Sequence, residues 1–160
     1  MVVDSKETSP LIREAYNGKH ITMKMNVLVV EDEMDMHDVF QLMVTSAGHN
    51  VTIVGTKTEA TDMLARKDFD LVFTDNDMPA RKGHPVSRDQ GLEIIRCARE
   101  IPYVPHIVWM SGRASTDEVL VQKAIDCGAD QILAKPFRMD EFTNILNHAS
   151  ARKMLEAIPA

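Results

Sequence analysis

Short apolar runs alternate along this chain with longer segments in which apolar residues recur every three or four positions. Val27-Leu28-Val29-Val30, Val51 to Val54, Leu71 to Thr74, His106 to Met110 and Gln131 to Ala134 form the first set. Runs this short, rich in β-branched residues and with little polar alternation, read as strands covered on both faces, as in parallel sheets. In the second set, Met36, Val39, Phe40, Met43, Val44 and Ala47 give one buried face to a helix from Met34 to Ala47, which Gly48 ends. Ala60, Met63 and Leu64 do the same from Thr58 to Arg66, and Leu92, Ile95 and Ala98 mark a third helix. A fourth is expected from Thr116 to Cys127 with Gly128 as its cap, and Phe142, Ile145, Leu146, Ala149 and Met154 line a last one.

Five strand–helix units in alternation imply an α/β fold, with a parallel sheet covered by helices on both faces. Right-handed crossovers leave few ways to order the strands, and the 2-1-3-4-5 arrangement of the flavodoxin-like class accommodates five units. Two stretches stand outside the repeat. Residues 1–24 are polar and weakly patterned, although Ser9-Pro10 could open a short helix through Leu11, Ile12, Ala15 and Tyr16 that Asn17-Gly18 would stop. They are expected to form an N-terminal extension, either a loosely held leader or a docking or dimerisation arm, ahead of a domain spanning 25–160; Met23 and Met25 are alternative starts. Ala80 to Gln90 carries Arg81, Lys82, His84 and Arg88 without periodicity, after Pro79 is expected to turn the chain. It reads as an inserted loop of a length uncommon inside compact domains and often functional.

Composition narrows the class. A chain of 160 residues, 44% hydrophobic and 26% charged, can form one domain with a real core. A net charge of −6 argues against direct nucleic-acid binding, which leaves a basic footprint. No apolar run approaches the roughly 18 residues of a membrane span, and the start, with Asp4, Lys6 and Glu7, lacks a signal-peptide core. Cys97 and Cys127 form no CxxC motif. A reduced, cytoplasmic setting without membrane association is expected, with both thiols as small core fillers.

The candidate chemistry lies at strand ends. The first strand runs into Glu31-Asp32, the third into Asp75, the fourth into Ser111 and the fifth into Lys135, whereas the second ends in Gly55-Thr56. Open α/β sheets bind ligands at that carboxyl edge. Three carboxylates in one cleft repel one another. A hard divalent cation such as Mg²⁺, which takes a few carboxylates with water and phosphate oxygens, relieves that repulsion. A lysine and a hydroxyl opposite it would hold a tetrahedral anion, so the constellation suits phosphoryl transfer onto Asp75.

Val29-Val30-Glu31-Asp32-Glu33, Asp75 with Met78-Pro79, Met110-Ser111-Gly112, and Gly128-Ala129-Asp130 through Lys135-Pro136-Phe137 resemble the receiver domain of two-component response regulators, over about residues 25–150. Each motif is weak alone; together, in this order and at these strand ends, they are specific. The resemblance implies a phospho-switch of the chemotaxis type, either standing alone or excised from a larger regulator. Such a domain catalyses only its own phosphoryl transfer and dephosphorylation. Asp75 would take the phosphoryl group from a histidine kinase or histidine phosphotransfer protein. Asp32 would ligate Mg²⁺ directly, Glu31 through water and Asp77 through its backbone carbonyl. Lys135 would pair with the carboxylate and then with the phosphoryl oxygens, Ser111 would swing in to bond them, and Gly112 would leave room for an N–H to approach. The added charge would draw strand ends together and alter the surface of the fourth helix, fifth strand and fifth helix, which an unidentified downstream protein would read.

Departures from the family pattern bear on these expectations. Glu31 stands where many relatives have Asp. Ile132 occupies the switch position usually held by Tyr or Phe and reads as strand packing. The 80–90 loop exceeds the family's usual connection and would lie beside the cleft, where its basic residues would attract an anionic donor or select a kinase; a tolerated surface insertion is the other reading. Asp77 and Arg113 flank the cleft and would form an ion-paired lid, or remain two solvated side chains. Asp75-Asn76-Asp77 also resembles the DxD motif of haloacid-dehalogenase-type phosphatases, although Pro79 and the early position of Glu31-Asp32 fit that family poorly. A receiver-like scaffold that takes no phosphate is a further alternative.

Overall fold

Side chains at successive strand positions point to opposite faces of a sheet, and here both faces are apolar. A computed structural model describes residues 23–159; the helix expected near Ser9-Pro10 lies outside the described residues. The strands are β1 (Asn26–Val30), β2 (Asn50–Val54), β3 (Leu71–Asp75), β4 (Met78–Pro79), β5 (Val86–Ser87), β6 (His106–Ser111) and β7 (Gln131–Ala134). The helices are α1 (Met34–Ser46), α2 (Lys57–Arg66), α3 (Gln90–Glu100), α4 (Glu118–Cys127) and α5 (Met139–Glu156). Five strands form one parallel sheet in the order β2-β1-β3-β6-β7. With the short ribbon β4–β5 set aside, this is the 2-1-3-4-5 order expected from the alternation.

Alternation along each strand sorts the core into two layers. Val27 and Val29, Leu71 and Phe73, and Val108 and Met110 pack against Phe40, Met43 and Val44 of α1 and Phe142, Ile145 and Leu146 of α5. Leu28 and Val30, Val72, and Ile107 and Trp109 pack against Ala60 and Leu64 of α2, Leu92, Ile95 and Ala98 of α3, and Leu120 and Ala124 of α4. Phe73 and Phe142 stack at 4.3 Å between ring centroids. β3 lies at the centre with every residue buried, so whatever follows Thr74 is delivered to a fixed point.

Two helix starts follow side-chain caps. Asp117 Oδ1 accepts the Leu120 N–H at 2.9 Å, so α4 starts at Glu118 rather than Thr116. The Thr56 hydroxyl accepts the Glu59 N–H at 3.2 Å and starts α2 at Lys57. The thiols differ from expectation in part: Cys127 packs against the second layer, but Cys97 is half-buried on α3 outside either layer.

The stretch read as an unpatterned loop is partly ordered as a ribbon. Met78 pairs with Ser87 and Pro79 with Val86, antiparallel. Pro79 therefore sits in a short ladder instead of turning the chain; a two-stranded ribbon consists only of edges, where proline is tolerated. Its tip closes with the His84 N–H donating to the Arg81 carbonyl at 3.1 Å, with Gly83 at φ +82°, the left-handed position that a type II turn gives to glycine. The burial signal that organised the rest of the chain is weak here, because among the ribbon's paired residues only Met78 is fully buried.

Candidate functional site

β1 and β3 are adjacent and in parallel register, so their carboxyl ends open side by side. Glu31, Asp32 and Asp75 there each offer a carboxylate oxygen within 4.8 Å of the others. Lys135, one residue past β7, reaches in from across β6, its Nζ 2.7 Å from Glu31 Oε2 and 3.2 Å from Asp75 Oδ2. Glu31 is fully buried, and its other oxygen accepts the Glu33 N–H at 3.2 Å. Asp75 Oδ1 accepts the Asn76 N–H at 2.8 Å. Asp32 is half-buried and faces the open cleft.

The charges show the strain of this crowding. Burial pushes the Asp75 carboxyl up to about 6; Lys135 pulls it down, and Glu31 pushes it up again. Burial also raises Asp32, with a smaller upward push from Glu31. For Lys135 burial works against the charged form, but its bonds to Glu31 and Asp75 outweigh it and hold the ammonium above its ordinary range. One ammonium thus pairs with two of the three carboxylates and leaves Asp32 without an ion pair among the described residues. A hard divalent cation fits this set: the donors are all oxygens, they converge, and the negative charge is incompletely offset.

A second network braces the Asp75 segment, of which the sequence had marked only the pairing of Asp77 with Arg113. Asn76 is fully buried; its Nδ2 donates to Asp77 Oδ1 at 2.8 Å and to Asp89 Oδ1 at 3.0 Å, while its Oδ1 accepts from Trp109 Nε1 at 2.9 Å. Asp77 Oδ1 also accepts the Asp89 N–H at 3.1 Å. Asp89 sits at φ +62°, a conformation aspartate tolerates better than most residues. Arg113 lies 3.3 Å from both Asp77 and Asp89. Gly91 lets α3 approach β3: a Cβ there would stand 2.3 Å from the Asp75 carbonyl oxygen and 2.8 Å from Asn76 Cα. The available sequence signals were a lone glycine in the first turn of an amphipathic helix and an aspartate just ahead of it.

Ser111, Gly112, Arg113, Asp77 and Lys135 line one open cleft of about 720 Å³ with Asp32 and Asp75. The Ser111 hydroxyl accepts the Arg113 N–H at 3.1 Å. Gly112 is exposed, and a Cβ there would meet nothing within 4 Å, so no neighbour in this structure demands glycine. Ile132 stands apart from the cleft, partly buried on β7 against the α2–α3–α4 layer. His106 opens β6 at the opposite edge of the sheet, near Asp130 and Arg152.

Comparisons with known proteins agree with this geometry. The response regulator receiver domain model matches residues 27–147. The two-component response regulator ORR21 of Oryza sativa subsp. indica is 31% identical over 141 residues, 87% of this chain and 19% of its own length. ARR11 of Arabidopsis thaliana is 31% identical over 134 residues, 82% of this chain and 24% of its own. The chain thus spans a quarter or less of these relatives. The receiver domain of the sensor histidine kinase PA1611 from Pseudomonas aeruginosa, solved with a magnesium ion coordinated in its active-site cleft, superposes with a TM-score of 0.63 at 25% identity, covering 79% of this chain and 97% of that one. The Francisella response regulator 1452 receiver domain gives 0.68 at 22% identity, covering 81% and 99%, and shows the shared fold.

Proposed function

The chain belongs to the response regulator receiver domain family of two-component signal transduction, and on that footing we propose that Asp75 is its phosphoacceptor. The observation that carries the reading is the meeting of Glu31, Asp32 and Asp75 within 4.8 Å, with Lys135 bonded to two of them. An Asp75 carboxyl near 6 is ionised at neutral pH and free to act as a nucleophile. One of its oxygens attacks phosphorus, the bond from phosphorus to the donor's imidazole nitrogen breaks, and the imidazole leaves with that electron pair. The donor is a histidine kinase or a histidine phosphotransfer protein.

Asp32, Asp75 and the Asp77 backbone carbonyl would hold Mg²⁺ directly, with Glu31 acting through water. That division is supported by Glu31's two oxygens, both already engaged by Lys135 and the Glu33 N–H. Bound Mg²⁺ neutralises charge on the transferring group. Lys135 then releases its bond to the Asp75 carboxylate and donates to a phosphoryl oxygen. The Ser111 hydroxyl turns from the Arg113 N–H to donate to another. Arg113, bridging Asp77 and Asp89, closes over the product and slows its hydrolysis by water. These movements draw the ends of β6 and β7 toward β3.

The readout is the surface of α4, β7 and α5, where Val119 and Ile125 are exposed; a downstream protein binds there according to phosphorylation. Ile132 serves as packing and couples less than an aromatic ring would. The receiver unit runs over residues 25–160 behind an extension of 1–24. Among the described residues no helix is long and apolar enough to cross a membrane, which fits a cytoplasmic site of action. The phosphatase alternative has no support from the family match, and Asp77, its would-be general acid, already accepts three hydrogen bonds on one oxygen.

Incubation with acetyl phosphate and Mg²⁺ tests the reading. Intact-mass measurement should show one added phosphoryl group, labile in base and absent from Asp75→Asn. A wild-type protein that stays unmodified under these conditions, with folding verified, refutes it.

A further inference from the structure

The cleft has a wall that the strand–helix repeat does not supply. Val86 and Arg88, on the return limb of the β4–β5 ribbon, line it together with Asp75, Ser111 and Lys135. The ribbon is anchored at both ends. Met78 is fully buried, and the Ala80 carbonyl accepts the Thr58 N–H at 3.0 Å and the Thr58 hydroxyl at 2.8 Å. On the return side Asp89, next to Arg88, is gripped by Asn76 at 3.0 Å, Asp77 at 3.1 Å and Arg113 at 3.3 Å. The backbone of Arg88 is therefore held at the cleft by its neighbours.

Its side chain has no such engagement. Arg88 is exposed and makes no ion pair among the described residues. Of the acids around the cleft, Asp77 and Asp89 pair with Arg113 and Glu31 and Asp75 with Lys135, while Asp32 and Glu33 line it without an ion pair to Arg88. A free guanidinium at the same cleft as a nucleophile whose charge rises from about −1 to about −2 on phosphorylation, with three new terminal oxygens, has an evident partner in the product. Its planar fork matches phosphate oxygens, and such charge-assisted bonds are roughly twice as strong as neutral ones. Lys135 and Ser111 offer few donors to a group with three terminal oxygens.

We propose that Arg88 is a phosphoryl-contact residue, carried by the inserted ribbon into the cleft, where its guanidinium donates to the phosphoryl group on Asp75. The inference rests on the reading of Asp75 as phosphoacceptor. It gives the ribbon a direct part in holding the phosphoryl group, distinct from partner selection by the basic tip at Arg81, Lys82 and His84.

The test is titration of the full chain with beryllofluoride, a mimic of the phosphoryl group, in saturating Mg²⁺. The single tryptophan, Trp109, is bonded to Asn76 beside Asp75 and serves as the fluorescence reporter. Arg88→Ala should weaken beryllofluoride binding about tenfold, as expected for a lost charge-assisted bond, while the affinity for Mg²⁺ alone stays within about twofold. Arg88→Lys should recover part of the loss. Arg81→Ala, at the ribbon tip and away from the cleft, should change nothing. Equal binding by wild type and Arg88→Ala overturns the proposal, as does an equal loss in Arg81→Ala, which would show only a general field of basic charge. A wild type that binds Mg²⁺ but no beryllofluoride overturns the phosphoacceptor reading itself, so the two failures are distinguishable.

Discussion

Replacing Asp75 with asparagine should make the metal-free protein more stable, although the residue lies at the centre of the site. Asp75 is only 9% exposed, and burial lifts its carboxyl from 3.8 to about 6 in the folded state. A folded-state value above the unfolded one means that the folded protein holds this proton more tightly. The group then supports folding fully below about pH 3.8, and that support is lost as pH rises through about 6. The difference corresponds to roughly 3 kcal/mol withheld from stability at neutral pH. Asparagine never ionises, and its carbonyl can still accept the Asn76 N–H. It gives up the contact with Lys135 at 3.2 Å, but Lys135 keeps Glu31 at 2.7 Å. The value of about 6 already includes that contact, so the variant should gain about 3 kcal/mol, or about 6–12 °C in Tm for a domain of this size. Urea denaturation in chelator at about pH 7.5 measures the gain; the gap should shrink to about a third at about pH 4.5 and close only below about pH 3.8, where the carboxyl is protonated in the unfolded chain as well. Saturating Mg²⁺ should narrow it as well, since the wild type gains more from binding. A variant no more stable than wild type in chelator, or a gap that ignores pH, would refute the account of crowded charge.

Lys135→Ala should act in the opposite sense: it leaves Glu31 fully buried without its cation, and urea denaturation should show a loss of roughly 3–5 kcal/mol, partly recovered by Mg²⁺. Gly91→Ala drives a methyl to 2.3 Å from a backbone oxygen, so α3 must shift; a loss of about 2 kcal/mol or more is expected, and a variant within error of wild type would show that α3 moves freely. Arg113→Ala should shorten the lifetime of the phosphoryl group by up to about fivefold, the range of a part-exposed ion pair; an unchanged half-life by phosphate-affinity electrophoresis would show that Arg113 only braces Asp77 and Asp89.

Glu31, Asp32, Asp75 and Lys135 could be placed at one sheet edge from sequence because each directly follows a buried run, and a strand's end is a local property. Asn76 had no such mark. It reads as one more polar residue in a turn, and its importance depends on Trp109, 33 positions away. Gly91 and Asp89 were silent for the same reason: the close approach they permit is a contact with β3, not a feature of their own neighbourhood. The ribbon was read as a plain loop because two paired residues on each side are too few to show alternation.

The sequence alone determined the five strands of the parallel sheet, the five helices and the strand ends that carry acid or base. Those follow from periodic burial, which acts on neighbouring residues and leaves its imprint in the spacing of apolar side chains. The tertiary structure alone decided how close the charges come, how far burial lifts Asp75, how Asn76 and Gly91 brace its backbone, and which residue of the ribbon reaches the cleft. Each of these depends on distances between segments far apart in the chain, and a distance across a fold is set by packing as a whole rather than by any local pattern.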